Sequence, residues 1–169
     1  QNFGTPRDFS QPSNAVGGLP TIIQLAQDDA ADEIATLISA DASVVHQQDT
    51  TGSTALIHAC KRAQGGRKSV LALVRGGADV NHTNKNGVTA LMWAANSSNL
   101  ACVELLLECG ARTDIKATAG PWKTDTALHL AKKMGGGRRM HQVIEAAERK
   151  QQSEAQPPVN APGPSTQGV

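Results

Sequence analysis

Apolar residues recur along this chain at helical rather than strand spacing. Leu91, Ala94 and Ala95 lie three and four positions apart, and Val103, Leu106 and Leu107 repeat the arrangement a little further on. Each set predicts one apolar stripe along an α-helix. The polar run Asn96 to Asn99 between them predicts a turn joining two antiparallel helices. Upstream, Asn86-Gly87 supplies the left-handed positions that a tight hairpin needs. A helix pair this small has too little core to stand alone, so it must stack against others of its kind.

The chain provides the others. Thr-Ile-Ile-Gln-Leu-Ala starts at Thr21, Thr-Ala-Leu-Ile-His-Ala at Thr54, Thr-Ala-Leu-Met-Trp-Ala at Thr89 and Thr-Ala-Leu-His-Leu-Ala at Thr126, at intervals of 33, 35 and 37 residues. A second marker travels with the first. Gly77-Ala78-Asp79-Val80-Asn81 closes one unit and Gly110-Ala111-Arg112-Thr113-Asp114 the next, 33 residues later. Together the markers locate two extra residues near Ala63 to Gly66 and four extra residues before Thr126. Both insertions fall where loops are expected and cost little.

A period near 33 residues with this signature resembles the ankyrin repeat, a β-turn and two helices carrying Thr-Pro-Leu-His-x-Ala. The resemblance covers residues 19 to about 150, in about four repeats. The signature Pro is replaced by Ile22, Ala55, Ala90 and Ala127, and its His survives only as His129. The resemblance implies an all-α solenoid of helix-turn-helix units joined by β-hairpin loops. Residues 1–18 then form an extended N-terminal arm, 19–150 the repeat domain and 151–169 a Pro/Gln-rich C-terminal arm, with a last helix at roughly Arg139 to Lys150. It further implies that His129 bonds backbone between units, and that a partner lies against the hairpin tips and the exposed face of the first helices. Registering each copy on its Thr puts Asp28 and Asp29 there, then Thr50, Thr51, Ser53, Lys61 and Arg62, then Lys85, Asn86, Val88, Asn96 and Ser97, and finally Lys133.

Composition changes the picture in two ways. Aromatic content is 2% with no Tyr, so aliphatic and Ala side chains must build closely packed helices. Net charge is only +1, but it is unevenly spread. Residues 19–49 hold six acids and no Lys or Arg, residues 50–83 five basic groups against one acid, residues 84–116 three against three, and residues 117–150 seven against three. Lys61 and Arg62 in one repeat and Lys132, Lys133, Arg138 and Arg139 in another occupy equivalent turns, which predicts a basic edge able to attract acidic protein or RNA phosphates. No aromatics interleave these residues, so base stacking is not indicated.

Candidate chemistry is sparse. His58 and Cys60 are two apart on a helix and point in different directions, leaving Cys60 as a small core residue. Cys102 and Cys109 share a helical stripe without a second pair to complete a zinc site. Gly135-Gly136-Gly137-Arg138-Arg139 precedes a helix and has the makings of an anion cradle, although a Gly turn is ordinary between paired helices. Neither paired carboxylates, a phosphate loop nor a catalytic triad is present, no cofactor or metal is implied, and no apolar run of about 18 residues predicts a membrane span. Three cysteines, an odd number, point to a reducing intracellular compartment: cytoplasm first, mitochondrion or nucleus as alternatives. Two sets of aromatics stand apart. Phe3 and Phe9 lie in an arm too polar to fold and read as anchors, and Trp122 lies in the lengthened hairpin, as a contact anchor or folded back on the preceding repeat. Trp93 reads as core. The whole points to a non-catalytic protein-binding module, an adaptor or assembly subunit without a small-molecule substrate. The alternative is an RNA-facing subunit of a ribonucleoprotein such as a ribosome.

Overall fold

The computed structural model of the chain describes residues 21–155, in which eight helices form two layers. The inner layer is α1 (Thr21–Asp28), α3 (Ala55–Cys60), α5 (Ala90–Asn96) and α7 (Ala127–Lys133). The outer layer is α2 (Ala31–Ala40), α4 (Arg67–Arg75), α6 (Leu100–Glu108) and α8 (Arg138–Ala155). Each inner helix packs on its outer partner and on the next inner helix, and the outer helices stack likewise. The expected all-α solenoid is therefore what forms. Among the described residues there is no strand, only an isolated antiparallel bridge between Gln48 and Thr54.

Small residues make the stack possible. Ala59, Cys60, Ala94, Ala95 and Ala131 are completely or almost completely buried, and Ile23, Leu56, Leu91, Leu106, Leu130 and Ile144 are large side chains of the same continuous core. A fully buried aliphatic side chain contributes roughly 1.5–3 kcal/mol, so the core arises from many modest terms spread along the stack.

The turns explain the recurring Gly-Ala. Five helices end in one way, with a left-handed residue followed by an N–H that donates back into the last turn. Ala30 N bonds Leu25 O, Ala78 N bonds Leu73 O, Asn99 N bonds Ala94 O, Ala111 N bonds Leu106 O and Gly136 N bonds Ala131 O, at 2.9–3.0 Å. The left-handed residues before them are Asp29, Gly77, Ser98, Gly110 and Gly135. Helix α3 departs from this rule. Its longer loop runs to Gly66, whose φ is +76° and whose missing Cβ would stand 2.6 Å from Ala59 O.

Three hairpin tips project beyond the inner layer, each closed by a backbone bond: Asp49 N to Ser53 O, Asn84 N to Val88 O and Ala117 N to Asp125 O. The third contains the four extra residues, wound into a short 3-10 turn at Gly120–Trp122. Tips bond one another as well, Lys85 N to Thr51 O and Thr118 N to Asn86 O. In the Asn86-Gly87 pair only Gly87 is left-handed, which corrects the expectation for Asn86. The last helix also differs from its expected limits. It continues through Ala155, because Gln151 accepts from Thr113 N and Oγ1 and donates to Ala111 O, so the boundary drawn at residue 150 falls inside the fold.

Candidate functional site

The inner helices and the tips enclose a concave face, and the fifth residue of each repeat signature decides what it presents. That position holds Leu25, His58, Trp93 and Leu130. The two leucines are buried, whereas His58 and Trp93 build polar and aromatic clusters.

His58 bridges two repeats. Its Nε2 donates to Asp49 Oδ2 at 2.7 Å and its Nδ1 accepts from the Gln27 amide at 2.9 Å, an arrangement that requires the neutral ring. Burial holds the imidazole below its ordinary value, and the Asp49 carboxylate only partly opposes this. Burial by itself would raise Asp49, but donors from Thr51, Ser53 and His58 outweigh it and keep the carboxyl well below the usual carboxylate range. The pair resembles half of a nucleophile-activating triad, yet both ring nitrogens are already engaged and no nucleophile is joined to them. Cys60 is completely buried on another side of α3.

Beside this pair lies the aromatic cluster. Trp93 and Trp122 meet edge to face, with centroids 4.6 Å apart and planes at 66°. The Lys61 ammonium sits 4.9 Å from the Trp93 ring centroid. Burial draws the Lys61 amine below its ordinary value, partly offset by the charge of Asp49. Trp93 is thus half-buried at the concave face rather than a core residue, and Trp122 folds back on the third repeat while remaining partly exposed. Asn96, one helical turn beyond Trp93, is half-buried and its amide has no hydrogen-bond partner among the described residues.

Other expected contact residues fare differently. Asp28 is exposed at the acidic end, Lys85 is exposed and donates to Thr50 O at 2.8 Å, and Asn86 is exposed at its tip. Val88 is 4% exposed, tucked beneath the tip that Asn84 organises, so it is a packing residue. Asp29 is also structural. Its carboxylate accepts from Ser69 Oγ at 2.6 Å and from Gly66 N at 3.0 Å; burial pushes its pKa up, but these donors more than offset that. His129 bonds Thr126 Oγ1 of its own repeat, with no backbone of a neighbouring unit as partner among the described residues. Phe3 and Phe9 lie outside the described residues.

The basic edge does not assemble. Arg62 turns inward, donating to Gln27 O, with its Nε buried and unpaired. Lys132 pairs with Glu145, Lys133 with Asp125 and Arg139 with Glu104, each at 3.1 Å. Arg138 is exposed at the first position of α8. Acids from three different elements thus take up three of the cations, a distribution that charge counting along the chain does not reveal.

Sequence reasoning missed two residues that organise the face. Asp49 was foreseeable, since it aligns with Asn84 at the start of a tip and both side chains accept from two backbone N–H groups of their own turn. Asn99 is the other. Its Oδ1 caps α6 through Cys102 N at 3.2 Å, and its Nδ2 donates to Arg62 O at 3.0 Å and Gly65 O at 2.9 Å. Only the insertion in the facing loop gives it that second pair of partners.

Among the described residues no helix is long and apolar enough to cross a membrane. A family model for ankyrin repeats, three copies long, matches residues 22–117 and again 63–144. The ankyrin repeat and KH domain-containing protein mask of Drosophila melanogaster is 38% identical over 89 residues, which are 53% of this chain and 2% of that protein. The chain therefore spans a small fraction of that relative's length.

Proposed function

The chain belongs to the ankyrin-repeat family, whose units are generally protein-interaction modules, and from that premise we propose that it is a non-catalytic adaptor or subunit of a larger protein assembly. The observation that carries this reading is the concave face itself. Asp28, Lys61, Asn96 and Lys133 occupy equivalent positions of successive inner helices, flanked by tips that hydrogen-bond to one another. A preorganised surface of this kind reduces the ordering cost of binding.

Two observations favour protein over RNA. Three of the six cations expected along the basic edge are paired with acids of this chain, and a fourth, Arg62, is turned inward. The face instead offers a half-buried aromatic pair of the sort that anchors protein interfaces. The three free thiols, Cys60, Cys102 and Cys109, support our placing the chain in a reducing compartment. Cross-linking mass spectrometry from native extract tests the reading. Lysines of the inner helices and tips, Lys61, Lys85 and Lys123, should cross-link to other proteins; cross-links confined to the outer helices, or to RNA after ultraviolet irradiation, would overturn it.

A further inference from the structure

We propose that Lys61, Trp93, Asn96 and Trp122 form the anchor point for an extended partner segment in which a carboxylate side chain neighbours an apolar one. This rests on the protein-interaction reading above and names the chemistry of the partner.

The polar groups at the cluster are donors that lack acceptors. The Lys61 ammonium has a ring beneath it and, among the described residues, no carboxylate within ion-pair distance. Asn96 has an unpaired amide one turn from Trp93. The Trp93 indole N–H is hidden from solvent without an acceptor, a deficit that ordinarily costs about 1–3 kcal/mol. An incoming carboxylate has the charge and the paired lone pairs to serve Lys61 and Asn96, the two donors of the set that face solvent, and partial burial of Lys61 strengthens the attraction. The flat apolar surface is provided by the two indoles, which are half-buried and therefore still open to contact.

Charge complementarity chooses the occupant. Asp49, the acid nearest Lys61 in effect, is already taken by His58, Thr51 and Ser53, and Asp125 by Lys133. Lys123 is exposed directly after Trp122 and Lys85 reaches only a carbonyl; against these and Lys61 stands one exposed acid in register, Asp28 of the first repeat, so the uncompensated charge around the cluster is on balance positive. A cationic segment, such as one bearing methylated lysine, would meet like charge, with Lys61 already over the ring it would need. A phosphate run of RNA would satisfy the charge but bring no aliphatic group for the indoles.

The test uses the full chain, whose only tryptophans are the two in the cluster and which has no Tyr, so intrinsic emission reports on this site alone. The probes are short synthetic peptides lacking Trp and Tyr, with Glu at every spacing from Leu or Phe, together with Gln-for-Glu and Lys-for-Glu counterparts and an oligouridylate. A saturable emission change is expected with at least one Glu peptide, and about tenfold weaker binding with its Gln counterpart. Lys61→Glu should weaken binding at least as much, and Trp122→Ala should weaken it, with both variants melting cooperatively as checked by circular dichroism. The proposal is overturned if no Glu peptide saturates, if Gln or Lys peptides bind equally well, if the oligouridylate alone saturates, or if Lys61→Glu binds like the wild type. Should Lys61→Glu capture the same proteins from extract as the wild type, the anchor fails while the interaction-module reading stands.

Discussion

Replacing Asn99 by Ala should remove a large share of this protein's stability. The side chain is 5% exposed and makes three hydrogen bonds, one to the first turn of α6 and two to carbonyls of the α3–α4 loop. Loss of an N-cap typically costs about 1 kcal/mol. The two loop bonds, to the carbonyls of half-buried Arg62 and exposed Gly65, contribute about 1 kcal/mol each, so the sum is about 3 kcal/mol. Against a total stability of roughly 5–15 kcal/mol that is a large fraction. Urea unfolding followed by circular dichroism measures it, and Asn99→Ser separates the contributions because a hydroxyl keeps the cap but cannot reach both carbonyls. We expect Ser to recover about 1 kcal/mol of the loss. A cost below about 1 kcal/mol for Ala, or a Ser variant as stable as the wild type, would show that the loop is held by something other than this amide.

Ser98 occupies the left-handed position that Gly135 holds in the equivalent turn of the fourth repeat, and that Gly77 and Gly110 hold at the ends of outer helices, so Ser98→Gly should raise stability by roughly 0.5–1 kcal/mol, visible as a higher Tm. In a chain that keeps residues 1–150 only, the carbonyl of Ala111 and the N–H of Thr113 lose Gln151, and amide exchange at residues 111–113 should accelerate; unchanged exchange would mean that α8 ends functionally at Lys150. Stability should also fall on mild acidification. The folded His58 binds its proton below the ordinary value of 6.5, so the unfolded chain takes up that proton first and the His58 contribution is lost as pH drops below that value. Asp49, held low, keeps its contribution until pH falls below 3.8. His58→Gln should therefore flatten the Tm profile between about pH 7 and pH 5, and an equal slope in wild type and variant would refute the assignment.

What could be read in the sequence was what repeats. Leu56, Leu91 and Leu128 follow one rule of spacing, and the Gly-Ala marker follows another, namely a left-handed helix end whose next N–H turns back. Because every unit meets the same neighbours, periodicity alone located the layers, the tips and both insertions. The face of the stack was harder to read because contacts there depend on which residue sits in the adjoining repeat. Asp29 looked like a free acid at a contact position, yet the next repeat offers it Ser69 and Gly66 N–H, and it became a brace. Arg62, one step along the signature from Lys61, went to a carbonyl of the preceding unit while Lys61 went to an indole of the following one.

The same dependence accounts for a buried group left unpaired. In the fourth repeat Thr126 Oγ1 bonds His129 three residues on, and in the third Thr89 Oγ1 accepts from Met92 N. In the second the corresponding residue is Ile57, fully buried, and Thr54 Oγ1 is left without a partner. Met92 shows that an apolar side chain at this position still permits the cap through its backbone N–H, so the second repeat lacks the cap because of its backbone and not because Ile57 is aliphatic, and the orphaned hydroxyl costs about 1–3 kcal/mol. Departures from the signature are thus not neutral gaps in a pattern. The fourth repeat keeps His129 on its threonine, the third caps through a backbone N–H alone and the second has no side-chain cap, and it is the second and third repeats that carry His58 and Trp93 in place of the leucines found at the two ends.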